Sequence, residues 1–186
     1  YGHKLSGNLL AIYQYWQKHA DTEFDFVFLT MDKTYFQELE KKGFKTALAT
    51  RFYTIGLLSK AKALISDHGL HSMSFMAGHS SLKFFDVWHG IMFKGFAPED
   101  FRTQHRYTET WVTSNLLKRF YTAQFGFKEQ QVHITGYART DCLMDGSMTK
   151  EQARQAFNLP LEGKLILFAP TWQRDTQNGN IYPFAV

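Results

Sequence analysis

The chain has 186 residues, with 21 Lys and Arg against 17 Asp and Glu for a formal charge of +4, and 44% of it is hydrophobic. That apolar content excludes a disordered, collagen-like or coiled-coil chain, and a globular chain of this length buries roughly 70% of its unfolded surface. The mild positive charge is too small to argue for nucleic acid as a partner.

After Gly7-Asn8, the residues Leu9, Ile12, Tyr13 and Trp16 recur at helical spacing and predict a first helix. Asp25 to Leu29 (DFVFL) reads as a buried strand. Asp32 is placed to cap a helix running through Leu39 to a stop at Gly43, and Phe44 to Ala49 reads as the next strand. Tyr53 to Lys62 is helical in pattern, Ala63 to Ser66 (ALIS) a short strand, and Phe84 to Trp88 (FFDVW) another, ending at His89-Gly90. Glu109 to Thr113 (ETWVT) predicts a strand, Ser114 caps a helix to about Phe125, and Gln131 to Thr135 (QVHIT) predicts the next strand. A helix is expected from about Arg139. Thr149 and Gln152 fit a capping box that opens a helix to Phe157, and Lys164 to Phe168 (KLILF) reads as a near-continuous apolar strand.

Strands alternating with helices at this interval predict right-handed βαβ units: an α/β, Rossmann-like parallel sheet with helices on both faces. Ligands of such sheets sit beyond the carboxyl ends of the strands. The polar stretch Asp145 to Lys150 is the expected linker. Aromatic residues make up 17% of the chain, and packing accounts for most of them. One cysteine, Cys142, permits no internal disulfide and suits a reducing compartment. No apolar run approaches the ~20 residues that a membrane-spanning helix needs. Tyr1 in place of Met, and an end at Ile181 to Val186 without helix or cap, suggest a piece of something longer.

The polar residues cluster just past predicted strands. His89 follows an apolar strand and precedes Gly90, where backbone can approach a ligand closely; an imidazole there can take a proton from an attacking hydroxyl. Its alternative is a structural histidine satisfied by nearby backbone. Lys94 adds a cation suited to phosphate, or to solvent. Gly136-Tyr137-Ala138-Arg139-Thr140-Asp141 leads from a strand into a helix and offers amides and a guanidinium to an anion; the alternative is a corner in which Arg139 and Asp141 pair. Thr171 and Arg174 follow the KLILF strand in a loop able to hold phosphate or a nucleotide, or in one that is simply polar. Ser6-Gly7-Asn8 is a small-residue helix start that suits an anion or an ordinary cap. The spacing of His68, His71, His79 and His89 matches no zinc framework, so no metal site is expected. The absence of Walker, GxGxxG, GxSxG and HExxH motifs disfavours P-loop NTPases, simple dehydrogenases, serine hydrolases and zincins.

Taken in order, SGNLLAIYQY, LLSKAKALISDHG, FFDVWHGIMFKG, WVTSNLLKRFYTAQFGF with VHITGYARTDCL, and LILFAPTW resemble the CDP-glycerol glycerophosphotransferase family of teichoic acid and capsule polymers. The similarity covers the whole chain. It departs from the family's pattern at Ile91 and Met92 after His89-Gly90, at Ala138 and Thr140 within G-Y-P-R-N-D, and at Gln173 before Arg174. The resemblance implies a GT-B-like two-domain enzyme, with residues 1–148 forming most of the acceptor-side domain and 149–186 the hinge and start of the nucleotide-donor domain. Activity then belongs to the complete protein. It implies His89 as catalytic base, with Gly7, Asn8, Gly90, Lys94, Gly136, Arg139, Asp141, Thr171 and Arg174 binding substrate. The donor is CDP-glycerol or CDP-ribitol, with no further cofactor implied; the acceptor is a polyol-phosphate polymer or lipid-linked primer. The implied location is the cytoplasmic face of the cell membrane, as a peripheral protein. A GT-B glycosyltransferase using a nucleotide sugar and a non-catalytic α/β binding module are the rival readings.

Overall fold

The computed structural model describes residues 4–19, 23–69, 76–77, 81–88, 90, 96–146 and 148–168. The chain divides into two compact units, Tyr1–Asp145 and Gly146–Val186. In the first, the described elements are α1 (Gly7–Lys18), β1 (Phe28–Thr30), α2 (Lys33–Lys41), β2 (Thr46–Leu48), α3 (Tyr53–Lys60), β3 (Ala63–Ser66), β4 (Lys83–Asp86), β5 (Glu109–Val112), α4 (Asn115–Ala123) and β6 (Val132–Ile134). The second contains α5 (Lys150–Ala156).

Every strand pair is parallel, as the α/β alternation requires. The expected sheet is nevertheless divided among the described residues: β1 and β2 pair with each other, while β3, β4, β5 and β6 form a four-stranded sheet in that order. In the larger sheet Ser66, Asp86, Thr110 and Val132 stand in register, one from each strand. Ser66 and Asp86 end their strands, so polar side chains stand at the carboxyl ends of β3 and β4.

Local chemistry sets the helix boundaries. The Asp32 carboxylate accepts from the amides of Thr34 (2.8 Å) and Tyr35 (3.0 Å) at the start of α2, and Ser114 Oγ accepts from the Leu117 amide (3.3 Å) at the start of α4. Thr149 and Gln152 close their capping box reciprocally on α5, at 3.2 and 2.8 Å. Two expectations fail. The helix anticipated from Arg139 is a 3-10 stretch, Ala138–Leu143, confined between Gly136 and Gly146 and carrying Thr140 and Asp141, which compete for backbone hydrogen bonds. The KLILF strand does not form: residues 164–168 are irregular and exposed, Ile166 at 95%, because no strand of its unit is present among the described residues to pair with it.

Three apolar clusters hold the first unit. Leu5, Tyr13, Phe28 and Leu39 join α1 and α2 to β1. Ala77, Leu82, Phe84 and Tyr107 pack against β3 and β4, with Leu64 at the edge. Phe101, Val112, Leu117, Tyr121, Phe125, Phe127 and Val132 seat α4 on β5 and β6. Ring pairs such as Phe101–Phe125 and Tyr121–Phe127, at 5.0 and 5.1 Å, each add about 0.5–1.5 kcal/mol beyond area burial. The high aromatic content is thus largely core.

Candidate functional site

Three segments far apart in sequence meet at the carboxyl end of the larger sheet. The first is the start of α1. Ser6 is extended and makes no side-chain cap, so ordinary capping does not explain the SGN sequence. Gly7 has φ +55°, a conformation other residues rarely adopt, and it turns the chain so that Asn8 points inward. Asn8 is 2% exposed. Its Nδ2 donates to the carbonyls of Val87 (2.7 Å) and Trp88 (2.8 Å), and its Oδ1 accepts from the Arg139 amide (3.2 Å). Both amide hydrogens are therefore used within the chain.

The second segment is the exit of β4. Asp86 is 2% exposed, and its Oδ1 accepts from the Trp88 amide at 3.2 Å, an Asx turn that ends the strand. Burial pushes the Asp86 carboxyl up to about 7, against the opposing pull of the Trp88 amide and with a smaller upward push from Asp67. Beside it in register, Thr110 is 1% exposed and its hydroxyl has no hydrogen-bond partner among the described residues. Pattern reading passed over Asp86; the available signal was one carboxylate inside the apolar run FFDVW, where a charge is costly to bury.

The third segment follows β6. The amides of Thr135 and Gly136 both donate to the Val112 carbonyl, at 3.0 and 3.2 Å, and Gly136 turns at φ +84°. This brings Tyr137 across to β4, where its hydroxyl donates to the Gly90 carbonyl at 2.6 Å. Burial raises the Tyr137 hydroxyl above its ordinary range, with Arg139 opposing and Asp86 adding to the rise, so it keeps the proton this bond needs. The Arg139 guanidinium lies 5.1 Å from the Tyr137 ring centroid, and among the described residues no ion pair joins it to Asp141. Arg139 and Asp141 are exposed, and Gly90 and Gly136 are half-buried.

Asn8, Gly90, Gly136 and Arg139 are thus gathered at one end of the sheet, with Gly7 beside them. Asp141 lies on the same 3-10 turn, its carbonyl accepting from the amides of Met144 (2.8 Å) and Asp145 (3.0 Å). His89, Lys94, Thr171 and Arg174 lie outside the described residues. A cleft of about 500 Å³ opens elsewhere, lined by Trp16, Asp25 and Lys45 before β1 and β2. Its polar groups are turned on each other: Lys45 reaches Asp25 at 2.5 Å and Trp16 Nε1 donates to the Phe24 carbonyl at 2.8 Å.

Parallel α/β folds as a class bind their ligands beyond the carboxyl ends of the strands, the end at which this unit gathers its glycine turns and Arg139. The sequence matches the family described as CDP-glycerol:poly(glycerophosphate) glycerophosphotransferase over residues 1–186, and the chain belongs to that family. It is 28% identical to the teichoic acid ribitol-phosphate polymerase TarK of Staphylococcus aureus, over 97% of this chain and 36% of TarK. It is 32% identical to TarL of the same organism, over 69% of this chain and 25% of TarL. Among solved structures, the wall teichoic acid polymerase TagF matches with a TM-score of 0.66 at 17% identity, covering 94% of this chain and 47% of TagF. A TagF variant soaked with CDPG matches at 0.68, with 93% and 46% covered. The chain therefore spans about a third or less of the curated relatives and about half of the TagF chains. The likeness to TagF establishes the fold.

Proposed function

We propose that the complete protein moves a polyol phosphate, glycerol phosphate or ribitol phosphate, from its CDP-activated form to a hydroxyl of a teichoic-acid-type polymer or lipid-linked primer. The observation that carries this reading is that both neighbours of His89 are tied in place. The Trp88 carbonyl is held by Asn8 of the SGN segment, and the Gly90 carbonyl by Tyr137 of the GYAR segment. His89 then accepts the proton of the acceptor hydroxyl, whose oxygen forms a bond to the β-phosphorus. The bridging bond from that phosphorus to the CMP oxygen breaks, and CMP leaves with the electron pair. Arg139 and Lys94 supply positive charge for the phosphates, with Thr171 and Arg174 assigned to the donor side, in the GT-B-like arrangement that family membership supports. Positioning and charge provide most of the rate in such transfers.

The test is a product assay on the complete protein. CMP release from CDP-glycerol or CDP-ribitol, dependent on polymer acceptor, is expected. UDP release from UDP-sugars would make it a glycosyltransferase instead, and no turnover of any donor would favour a binding module.

A peripheral place on the membrane fits the surface of α3. No helix among the described residues is long and apolar enough to cross a membrane. Phe52, at 92% exposed, and Ile55, at 66%, stand on α3 and its N-terminus, with Tyr53 and Leu57 also exposed. Arg51, Lys60 and Lys62 flank them, all exposed. Apolar residues beside bases suit an anionic bilayer, where each base near the surface contributes about 1 kcal/mol. In sedimentation with phosphatidylglycerol vesicles, Phe52→Glu with Ile55→Glu is expected to abolish most binding, and high salt to weaken that of the unaltered protein. Binding indifferent to anionic lipid, salt and both substitutions would contradict this placement.

A further inference from the structure

Consecutive carbonyls along a strand point to opposite sides, so the carbonyls of Val87 and Trp88 can reach one amide nitrogen only where β4 has ended and the chain has turned. They reach Asn8 Nδ2, 79 and 80 residues away in sequence, and the same carboxamide takes the Arg139 amide, 131 residues away. A primary carboxamide is the short side chain that supplies two donors and an acceptor together; Asp lacks the donors, Ser and Thr have one, and Gln is a methylene longer. Asn8 is 2% exposed and spends its carboxamide on these three hydrogen bonds.

Resting on the functional reading above, we infer that Asn8 is a positioning residue of the transfer reaction: its carboxamide fixes the backbone of Val87 and Trp88 at the exit of β4 against the Tyr137–Arg139 turn, and so holds the phosphate-binding Arg139 in place at that end of the sheet. It acts through the segments it ties and touches no reacting atom. A displacement of about 1 Å at a reacting group is worth on the order of 10²-fold in rate.

The experiment uses the complete protein and compares Asn8→Ala and Asn8→Asp with the unaltered enzyme, reading kcat and KM for CDP-glycerol and CDP-ribitol, the pH profile, thermal unfolding, and amide exchange at Arg139. Asn8→Ala is expected to lower kcat by about 10²-fold with a smaller change in KM, and to speed exchange of the Arg139 amide, whose acceptor is gone. Asn8→Asp keeps the shape but sets a carboxylate against two carbonyls, so its carboxyl is held protonated to higher pH than usual. At pH 8 its kcat is expected to fall below that of Asn8→Ala. As the pH is lowered the acid form donates to one carbonyl, and the ratio of the two rates crosses over. A purely structural role would lower the unfolding temperature in both variants without any such crossover. Where Asn8→Ala does not fold, Asn8→Ser, which keeps one donor, takes its place with a smaller loss of kcat. A kcat for Asn8→Ala within threefold of the unaltered enzyme, or unchanged exchange at Arg139, overturns the inference. If the unaltered enzyme released no CMP from either donor, the functional reading would fail by itself, and exchange at Arg139 would still decide whether Asn8 sets the turn.

Discussion

Replacing His89 by Ala in the complete protein is expected to cut CMP release by about 10²- to 10⁴-fold, the range that a positioned general base contributes. The basis is geometric as well as chemical. On one side of this position the Trp88 carbonyl is bonded to Asn8, and on the other the Gly90 carbonyl to Tyr137. His89→Gln, whose amide is not a base, is expected to lose turnover to the same extent. Thermal unfolding of both variants, read beside turnover, separates a loss of chemistry from a loss of fold. Near-normal turnover of either variant would remove His89 from the chemistry.

Asp86→Asn is expected to stabilise the protein above neutral pH and to remove a pH dependence. The Asp86 carboxyl titrates at about 7 when folded, against an ordinary 3.8. A group whose folded pKa is raised binds its proton more tightly in the native state, so between these two values the folded chain holds a proton that the unfolded chain has released. Stability accordingly falls as pH rises from about 4 to about 7, and is level beyond. Each pH unit corresponds to about 1.4 kcal/mol, so the contribution from Asp86 between pH 5 and pH 8 is a loss of about 3 kcal/mol. Asn keeps an oxygen to accept from the Trp88 amide and carries no charge, so the Asx turn survives. Urea denaturation of both proteins at pH 5 and pH 8 reads the difference: the variant should gain on the unaltered protein by about 3 kcal/mol across that interval. A gap independent of pH would mean that Asp86 is ionised throughout.

The elements that could be read in advance are those whose determinants are local. Asp32, Ser114 and Thr149 each bond to amides two or three residues ahead, and all three are the helix starts expected from the sequence. ALIS forms the strand Ala63–Ser66 as expected. What was not legible depends on partners distant in sequence. KLILF has strand composition, but a strand is a relation to a neighbouring strand, and residues 164–168 form none. Gly136 to Asp141 was expected to start an α-helix; the segment instead tightens into a 3-10 turn, with Tyr137 and the Arg139 amide bonded to Gly90 and Asn8. The segments that carry the resemblance lie far apart in sequence, and the contacts by which Asn8 joins them span 79 to 131 residues. Asp86 was hidden by the opposite effect: its apolar neighbours made the strand plain and the single carboxylate inconspicuous.

The most direct test of the central claim is a structure of the complete protein with CDP-glycerol and a polyol-phosphate acceptor bound. The claim predicts that the phosphate to be transferred lies beyond the carboxyl ends of β4 and β6, within hydrogen-bond reach of the Arg139 side chain, with the acceptor hydroxyl beside His89. Donor and acceptor meeting at any other place, with the ends of β4 and β6 free of both, would contradict it.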